Sequence, residues 1–496
     1  MTSRSFNQSF LSITLTQGST DSFRKGSIET NFHIEEKQVA EELKPGERAR
    51  ILRKLDWHLL PFVSLLYMLS FLDRANVGNA KVAGMSQDLH LIGFRYNIAA
   101  AVFFILYSFA EVPSNIALKL FRPSRWIPTI MIAWGLVMTL MCLVDSFRSL
   151  VVARLFLGLT EAGLFPGVTY YISLWYPRSE QSKRIAIFFS AATVAGAFGG
   201  LLAYGIEHME GIGGLHGWQW IVCFHVSTLL VACLSFFLMH DYPETAKFLT
   251  ETERAYVIDM LKQDANNLAT HYHIRFVLQA MKDYKTYIQV LIYMGLLVPV
   301  YAIALFTPTI INELGYSAAH AQLLSAPPFL AGCITTISVG VLSDKYQVRG
   351  PFIIGGAVVS IVGYILLYCD GPAGMSYAGV CLAAIGVYPT IAVDLAWAGS
   401  NAGGDLKRGV VIAMVIGLGN LGGICSSFIY IDPPNFHIGH GTMMGFLFLS
   451  ILLSLFAMWD YGRLNKKKKA QCQAQGLTDS RRDEFKDMGD ASPLFR

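Results

Sequence analysis

Long apolar runs separated by short polar connections dominate the chain. LLPFVSLLYMLSFL, residues 59–72, is one such run. A helix that crosses a bilayer needs about 20 mostly apolar residues, and the runs meet that length twelve times. We therefore predict an all-α membrane protein with twelve transmembrane helices. The predicted limits are 57–75, 98–120, 127–145, 149–171, 184–207, 218–240, 286–310, 322–343, 351–370, 374–397, 409–430 and 441–462.

The composition supports a membrane protein. Hydrophobic residues make up 53% of the chain and charged residues 15%, whereas an average soluble domain carries about 25% charged residues. The net charge of +4 is small, so nucleic acid is not a predicted partner. The cysteines lie mostly inside apolar runs without a CxxC motif, and we predict no metal and no cofactor. No Walker-type phosphate-binding motif occurs, which argues against an ATP-driven pump. An enzyme is not predicted.

Basic residues predict the orientation. If the N-terminus is cytoplasmic, the inner connections carry three, three, six, two and two Lys or Arg residues, whereas the outer connections after segments five, seven, nine and eleven carry none. Cytoplasmic loops of membrane proteins are enriched in Lys and Arg. The first outer loop is basic, with Lys81 and Arg95. We therefore expect both termini on the cytoplasmic side of the plasma membrane.

The chain also repeats itself. Segment four leads into LWYPRSEQSKR and segment ten into AWAGSNAGGDLKR, and the helices that follow carry GAFGG at 196–200 and GNLGG at 419–423. Parallel halves of six helices, with the substrate near the midplane, are typical of secondary transporters. Taken singly, such glycines are more simply explained by close helix packing. The predicted organisation is a disordered and amphipathic N-terminus 1–54, a bundle 55–240, a cytoplasmic linker 241–285, a pseudo-symmetric bundle 286–462 and a polar tail 463–496.

Ionisable residues inside the apolar segments indicate function, because each costs roughly 2.5–3.5 kcal/mol on insertion scales. Arg154 and Glu161 are seven residues apart, so they project from one helix face. Arg binds carboxylates in a bidentate manner and stays charged, whereas a desolvated Glu binds and releases protons. We predict Arg154 as a substrate ligand and Glu161 as a proton-coupling residue. A structural ion pair is the alternative.

Five further positions complete the predicted site. Asp73 and Arg74 repeat the pairing of an acid and a cation on the first segment, although they fall close to its outer end. Glu111 is a third candidate for proton coupling, with a structural hydrogen bond as its alternative. Tyr301 and Asn420 are predicted substrate ligands.

Two acidic positions are assigned no part in binding. Asp394, near the inner end of segment ten, is interpreted as interfacial. In GVLSDKYQVRG, residues 340–350, Asp344 is predicted to hold the end of a neighbouring helix or to pair with Arg349. That contact would gate the inner side.

The motifs resemble a known family. GVLSDKYQVRG is similar to the G-x-x-x-D-[RK]-x-x-x-[RK] loop of the major facilitator superfamily. Over about residues 55–460 the chain resembles the anion:cation symporters of that superfamily, and in particular the fungal allantoate permease branch. The stretches that carry this resemblance are DRANVGNA, EVPSN, KLFRPSRW, RLFLGLTEAGLFPG, SLWYPRSEQSKR and KRGVVIAMVIGLGNLGG. LKLFRPSRW lacks the Asp of the superfamily loop, so the first-half gate is expected to use other contacts.

The resemblance implies proton-coupled uptake of a small organic anion, such as nicotinate, allantoate, pantothenate or biotin. It implies that Arg74 and Arg154 contact the substrate carboxylate, and that Asp73 and Glu161 carry protons. We expect a monomer in the lipid bilayer that carries an anion together with protons. Export of an acidic metabolite and a nutrient sensor without transport are the alternatives.

Overall fold

The described part of the computed structural model contains helices and turns. That part comprises residues 46–80, 84–207, 211–214, 216–223, 226–264, 274–316, 318–369, 371–430, 435–475 and 492–493. The predicted disorder of the N-terminus and most of the predicted polar tail fall outside these ranges.

Seventeen helices, apart from short turns, are numbered here in chain order. They are α1 Glu47–Ala80, α2 Arg95–Phe121, α3 Pro123–Leu140, α4 Phe147–Glu161, α5 Leu164–Trp175, α6 Gln181–Glu207, α7 Gly217–Cys223, α8 Val226–Leu238, α9 Glu251–Asp264, α10 Ile274–Lys282, α11 Tyr284–Glu313, α12 Ala318–Tyr346, α13 Gly350–Tyr368, α14 Ala373–Ser400, α15 Asp405–Asn420, α16 Gly422–Ile429 and α17 His437–Ala474. Short helical turns lie at Ser86–Asp88, Met141–Leu143, Arg178–Glu180, Ile212–Gly214 and Pro243–Thr245.

The all-helical prediction is confirmed, and ten segments of the described chain are long and apolar enough to cross a membrane. The predicted segments 184–207 and 218–240 are not among these ten. They coincide with α6 and with the pair α7 and α8. The number twelve and the orientation of the termini therefore stay predictions.

The first and last long helices extend beyond their predicted limits. α1 begins at Glu47 and ends at Ala80, so Arg74 lies inside a helix of 34 residues and not at its end. α17 continues to Ala474 through the lysine run at 466–469, because Lys is a good helix former and the chain has no breaker there. Hydropathy marks where a helix becomes polar, which is not where it ends.

The two halves of the chain meet along two seams. On one seam α6 packs against α12 and α14. On the other, α2 packs against α15 and α16, and α5 also packs against α15. α1 and α11, the first long helices of each half, also contact each other. Side chains from both halves therefore meet at these helices.

The internal repeat reappears as paired contacts. Arg184, near the start of α6, donates to Asp56 on α1 at 2.9 Å. In the second half Lys407, near the start of α15, donates to Asp283 just before α11, also at 2.9 Å. In each half, the contact joins the basic pair that follows the fourth segment to an acidic residue at the start of the first segment. The matched motifs thus hold matched helices.

The described residues of the linker form two helices that pack on different halves. α9 is fixed to the first half, because Lys54 on α1 donates to Glu253 at 2.6 Å and Arg178 donates to Asp264 at 3.3 Å. α10 packs against α15 of the second half. We call the face that carries α9 and α10 the linker side, and its opposite the far side.

Candidate functional site between the two halves

Two interrupted helices place polar side chains in the centre of the molecule. α4 ends at Glu161 and α5 begins at Leu164. The break passes through Gly163, whose φ of +99° is rarely adopted by residues with a Cβ. A Cβ there would lie 1.9 Å from the Ser114 hydroxyl. α15 ends at Asn420 and α16 begins at Gly422, although Leu421 between them keeps helical backbone angles. Glu161 and Asn420 are thus polar residues at the ends of α4 and α15, and both are buried.

Glu161 and Arg74 form a buried ion pair at this centre. Arg74 Nε donates to Glu161 Oε1 at 2.7 Å, and the Arg74 side chain is 13% exposed whereas Glu161 is fully buried. The Ser70 hydroxyl donates to the same oxygen at 2.6 Å. Removing one partner of a buried ion pair leaves an uncompensated charge at a cost of about 3–5 kcal/mol. The state of Glu161 therefore controls the availability of Arg74.

Arg74 also joins the first half to the second. Its Nη2 donates to the Tyr107 hydroxyl on α2 at 2.7 Å, and its Nη1 reaches the Tyr301 hydroxyl on α11 at 3.4 Å. Tyr301 donates to Asn420 Oδ1 at 2.6 Å. Asn420 Nδ2 in turn donates to Glu111 Oε1 on α2 at 3.2 Å.

We call these residues the central network. Its members are Ser70, Arg74, Tyr107, Glu111, Glu161, Tyr301 and Asn420. All of them are buried or nearly so. The network runs from one acid to the other through two second-half side chains. The predicted residues Arg74, Glu161, Tyr301, Asn420 and Glu111 are thus brought together.

Arg154 lies beside the central network but is not hydrogen-bonded to it. It is 5% exposed, and its Nε donates to the Ala99 carbonyl at 3.3 Å. Its guanidinium carbon is 4.9 Å from the centre of the Phe103 ring, and that of Arg74 is 5.6 Å from the same centre. Within the described ranges Arg154 Nη1 has no hydrogen-bond partner. Arg154 is thus a buried cation with donor capacity to spare.

Asp73 points to a different neighbour from Arg74. It is fully buried, and its Oδ2 accepts a hydrogen bond from the Trp134 indole on α3 at 2.6 Å. Successive helix residues lie about 100° apart, so the two side chains leave α1 in different directions. Asp73 is held inside the first half and not between the halves.

Asp344 and Arg349 lie where the two halves meet on the linker side. Arg349 donates to Asp344 at 2.9 Å. Asp344 also accepts the backbone N–H groups of Ser182 at 3.2 Å and Lys183 at 2.6 Å, in the first turn of α6. Arg349 Nη2 donates to the Arg178 carbonyl at 2.9 Å. A carboxylate at a helix N-terminus is stabilised by the helix dipole. These contacts join the two halves on the linker side.

Two further features close the linker side. The Cβ of an alanine at Gly340 would lie 2.4 Å from the Ala186 Cβ, so α12 and α6 approach closely. On the other seam, where the sequence lacks the acid, Asn115 Nδ2 donates to the Gly409 carbonyl at 2.6 Å. Burial lowers the pKa of Arg178, and the charge of nearby Asp264 opposes that shift. Because Arg178 contacts both Asp264 on α9 and Arg349, it links the linker helix α9 to this face.

The helical architecture and the motifs have a counterpart among known proteins. The profile of the Major Facilitator Superfamily matches residues 63–427. The chain belongs to the Major Facilitator Superfamily. It is therefore a membrane transporter of small molecules and not an enzyme.

Related superfamily members are found in fungi. The chain is 34% identical to MFS-type transporter cnsO of Penicillium expansum, over 96% of this chain and 97% of the relative. It is 31% identical to the high-affinity nicotinic acid transporter of Saccharomyces cerevisiae, over 85% of this chain and 79% of the relative. These identities extend beyond the central helices to nearly the whole chain.

Solved superfamily structures share the fold. The proton:xylose symporter XylE bound to 6-bromo-6-deoxy-D-glucose superposes with a TM-score of 0.62 at 15% identity, covering 81% of this chain and 96% of that one. A bacterial homolog of the lysosomal transporter Spinster, inward-facing and unoccupied, gives 0.56 at 16% identity, covering 80% and 95%. At these identities the likeness concerns the fold alone.

Several residues in and around the central network were not predicted from the sequence. Tyr107 lies four residues before Glu111, and Ser70 four residues before Arg74. Positions four apart share a helix face, so that spacing was an available signal. Phe103 and Trp134 carried no comparable signal, because aromatic residues in apolar helices are usually packing residues. In contrast to its interfacial interpretation, Asp394 is fully buried.

Proposed function

We propose that the protein is a proton-coupled importer of a small organic carboxylate, with a nicotinate-like monocarboxylate as the favoured substrate. The plasma membrane is the proposed location, with the linker side and both termini facing the cytoplasm. The observation that carries the proposal is the buried Arg74–Glu161 pair, joined through Tyr301 to Asn420 of the second half.

Protonation of Glu161 can free Arg74 to bind an anion. When Glu161 takes up a proton from outside, Arg74 loses its counter-charge, and a substrate carboxylate is the group that restores it. Arg74 has more than one donor nitrogen in place for this, since Nε faces Glu161 and Nη2 faces Tyr107. Because Tyr301 and Asn420 belong to the second half, a ligand bound at Arg74 also changes contacts between the halves.

Arg154 supplies a second cation for the same ligand. Both guanidiniums lie over the Phe103 ring, and Phe104 packs edge-on against Tyr301 at 5.2 Å. An anion bound among these side chains therefore meets aromatic surfaces, which favours a planar ring. The name of the yeast relative, a nicotinic acid transporter, supports the same class of substrate.

Asp73 and Glu111 are proposed to support the coupling. Asp73 places a second acid one residue from Arg74, fixed by Trp134. Glu111 holds Asn420 at the far end of the central network. Closure of the linker side by Asp344 and Arg349 fits a cycle in which substrate and proton enter from the far side. The halves then rock, and both leave on the linker side.

The first test is uptake by purified protein in liposomes, with radiolabelled nicotinate, allantoate, pantothenate and biotin offered in turn. We expect accumulation of at least one carboxylate when the outside is more acidic, and its loss on addition of a protonophore. Protein-free liposomes measure passive entry of the neutral acid. Accumulation that persists with the protonophore, or flux in the outward direction alone, would reject proton-coupled import.

The Glu161→Gln variant tests the coupling residue. The amide mimics a permanently protonated acid, so exchange of labelled for unlabelled substrate should continue, while accumulation driven by the pH difference should fall. A pH difference of one unit supports about tenfold accumulation of substrate for each coupled proton. The part contributed by the proton on Glu161 should be absent in the variant. The matched control is Glu244→Gln, at an exposed position outside the apolar segments. Accumulation by Glu161→Gln at the wild-type level would contradict the assignment.

A further inference from the structure

Asp394 on α14 is a buried acid that the central network does not use. Its exposed fraction is 0%. Within the described ranges neither of its carboxylate oxygens has a hydrogen-bond partner. A carboxylate buried without a partner is strongly disfavoured relative to the neutral acid. In this state Asp394 is therefore held as the protonated acid.

Most of the charged groups on the helices that pack near Asp394 are paired with other residues. On α15, Lys407 pairs with Asp283, whereas Arg408 Nε has no hydrogen-bond partner within the described ranges. On α12, Asp344 pairs with Arg349. On α6, Arg184 pairs with Asp56 and Glu180. The Tyr461 hydroxyl on α17 lies near Asp394. That hydroxyl also accepts a hydrogen bond from Gln289 on α11 at 3.4 Å.

A polar crevice lies on the linker side, about one helical turn along α14 from this acid. Its walls include Tyr461, Gln289 and Ala398. Ala398 lies four residues after Asp394, on the same face of α14. The rim carries Asp283, with a side chain that is 13% exposed, and Lys285, at 21%. Water therefore reaches the rim within about one helical turn of the buried carboxyl.

We propose that Asp394 is a second proton-binding residue, which exchanges its proton with the linker side through the crevice bordered by Asp283 and Lys407. This inference rests on the proposed function, because it adds a second proton to the same transport cycle. No other bond changes, since the proton is taken up from water and returned to water.

The position of Asp394 couples its proton to the gate. α14 packs against both α6 and α12, the two helices that Asp344 joins. Its last residue, Ser400, accepts a hydrogen bond from Arg178 Nη1 at 3.5 Å. When these contacts break, α14 loses its seal against the first half and the crevice widens. Asp394 is then solvated and releases its proton, and it binds a proton again when the seal re-forms.

The steady-state accumulation ratio tests the second proton. Wild-type and Asp394→Asn proteins are compared in liposomes with a pH difference of one unit and a clamped membrane potential. Each coupled proton contributes about a tenfold ratio per pH unit, so the variant should accumulate about tenfold less substrate with exchange retained. Asp460→Asn is the control, because Asp460 is buried but bonded to Tyr284 and Arg463. An Asp394→Asn ratio equal to that of the wild type overturns the proposal.

Carbodiimide labelling of the wild-type protein gives a readout that needs no substrate. N,N′-dicyclohexylcarbodiimide adds to protonated carboxyl groups in apolar surroundings, and peptide mass spectrometry locates the adduct. We expect labelling at Asp394 that falls as the pH is raised, and none at Asp460. Absence of the Asp394 adduct at acidic pH overturns the proposal. Labelling requires no transport, so it tests Asp394 even if wild-type liposomes accumulate no carboxylate. That lack of accumulation would reject the proposed function and not the protonation of Asp394.

Discussion

Arg74 shows how one side chain can join two halves of a transporter. Its guanidinium meets Glu161 and Tyr107 of the first half and Tyr301 of the second, and it lies 4.7 Å from the centre of the Tyr107 ring. A guanidinium presents several donors in one plane and also stacks on aromatic rings. The ammonium group of a lysine neither presents its donors in one plane nor stacks on aromatic rings. Position 74 therefore requires the geometry of Arg in addition to its charge.

Arg74→Lys tests this requirement. The lysine keeps the charge but cannot serve Glu161 and Tyr107 together. Loss of a charged hydrogen bond costs about 1.5–3 kcal/mol, so the KM for carboxylate uptake should rise at least about tenfold. Arg463→Lys is the matched control, since Arg463 is 63% exposed and lies over the Trp459 ring at 5.2 Å. A KM for Arg74→Lys within twofold of the wild-type value would refute the role of the planar group.

At the scale of the element, the breaks in α4–α5 and α15–α16 matter more than the helices they interrupt. A continuous helix satisfies its own backbone groups, whereas a break frees them and redirects the chain. The turn at Gly163 lets α5 leave in a new direction while Glu161 stays at the end of α4. The hydropathy pattern passes through both breaks without a signal, because the residues on either side are equally apolar.

Gly163→Ala tests the first break. The new methyl group would collide with Ser114, and a left-handed conformation costs a residue with a Cβ about 1–2 kcal/mol. We expect a lower melting temperature for the purified protein and weaker uptake. Gly355→Ala within α13 is the control, since its Cβ would meet no atom within 4 Å. Equal melting temperatures for Gly163→Ala and the wild type would show that the backbone at 163 tolerates a side chain.

For the whole molecule, the closed linker side follows from a small number of contacts between the halves. Asp344 receives two backbone donors and one guanidinium, while Gly340 allows α12 to approach α6. Arg178 adds the linker helix α9 through Asp264. Because the halves are joined here by polar contacts, they can separate without exposing a large apolar core.

Asp344→Asn should shift the population toward the state that is open on the linker side. An amide pairs weakly with Arg349, and loss of about 1.5–3 kcal/mol corresponds to roughly a tenfold or larger change in the ratio of the two states. Cysteines replacing Ser179 and Gln347 in a background without native cysteines report closure, because Gln347 donates to the Ser179 carbonyl at 3.0 Å. Cross-linking should fall in Asp344→Asn. An unchanged yield would show that Asp344 does not hold the face closed.

The site could be predicted from the sequence where a charge was out of place. Arg74, Glu161 and Glu111 were found because charges inside apolar runs are costly and rarely accidental. Asp394 was assigned no function, because its position along the segment placed it near the interface, and its complete burial depends on packing. The partners of Asp73 and Arg154 lie on other helices, Trp134 on α3 and Phe103 on α2, and no local spacing connects them.

The sequence alone determined that the chain is a helical membrane protein, since the length and apolarity of a spanning helix are local properties that lipid imposes. It also determined which residues carry buried charge and which motifs repeat. Tertiary structure alone decided that Glu161 pairs with Arg74 and not with Arg154, and that Tyr301 and Asn420 connect the two acids across the halves. Those outcomes depend on the direction in which each helix packs, and on the break at Gly163 that redirects the chain. Both arise from contacts between residues far apart in the sequence.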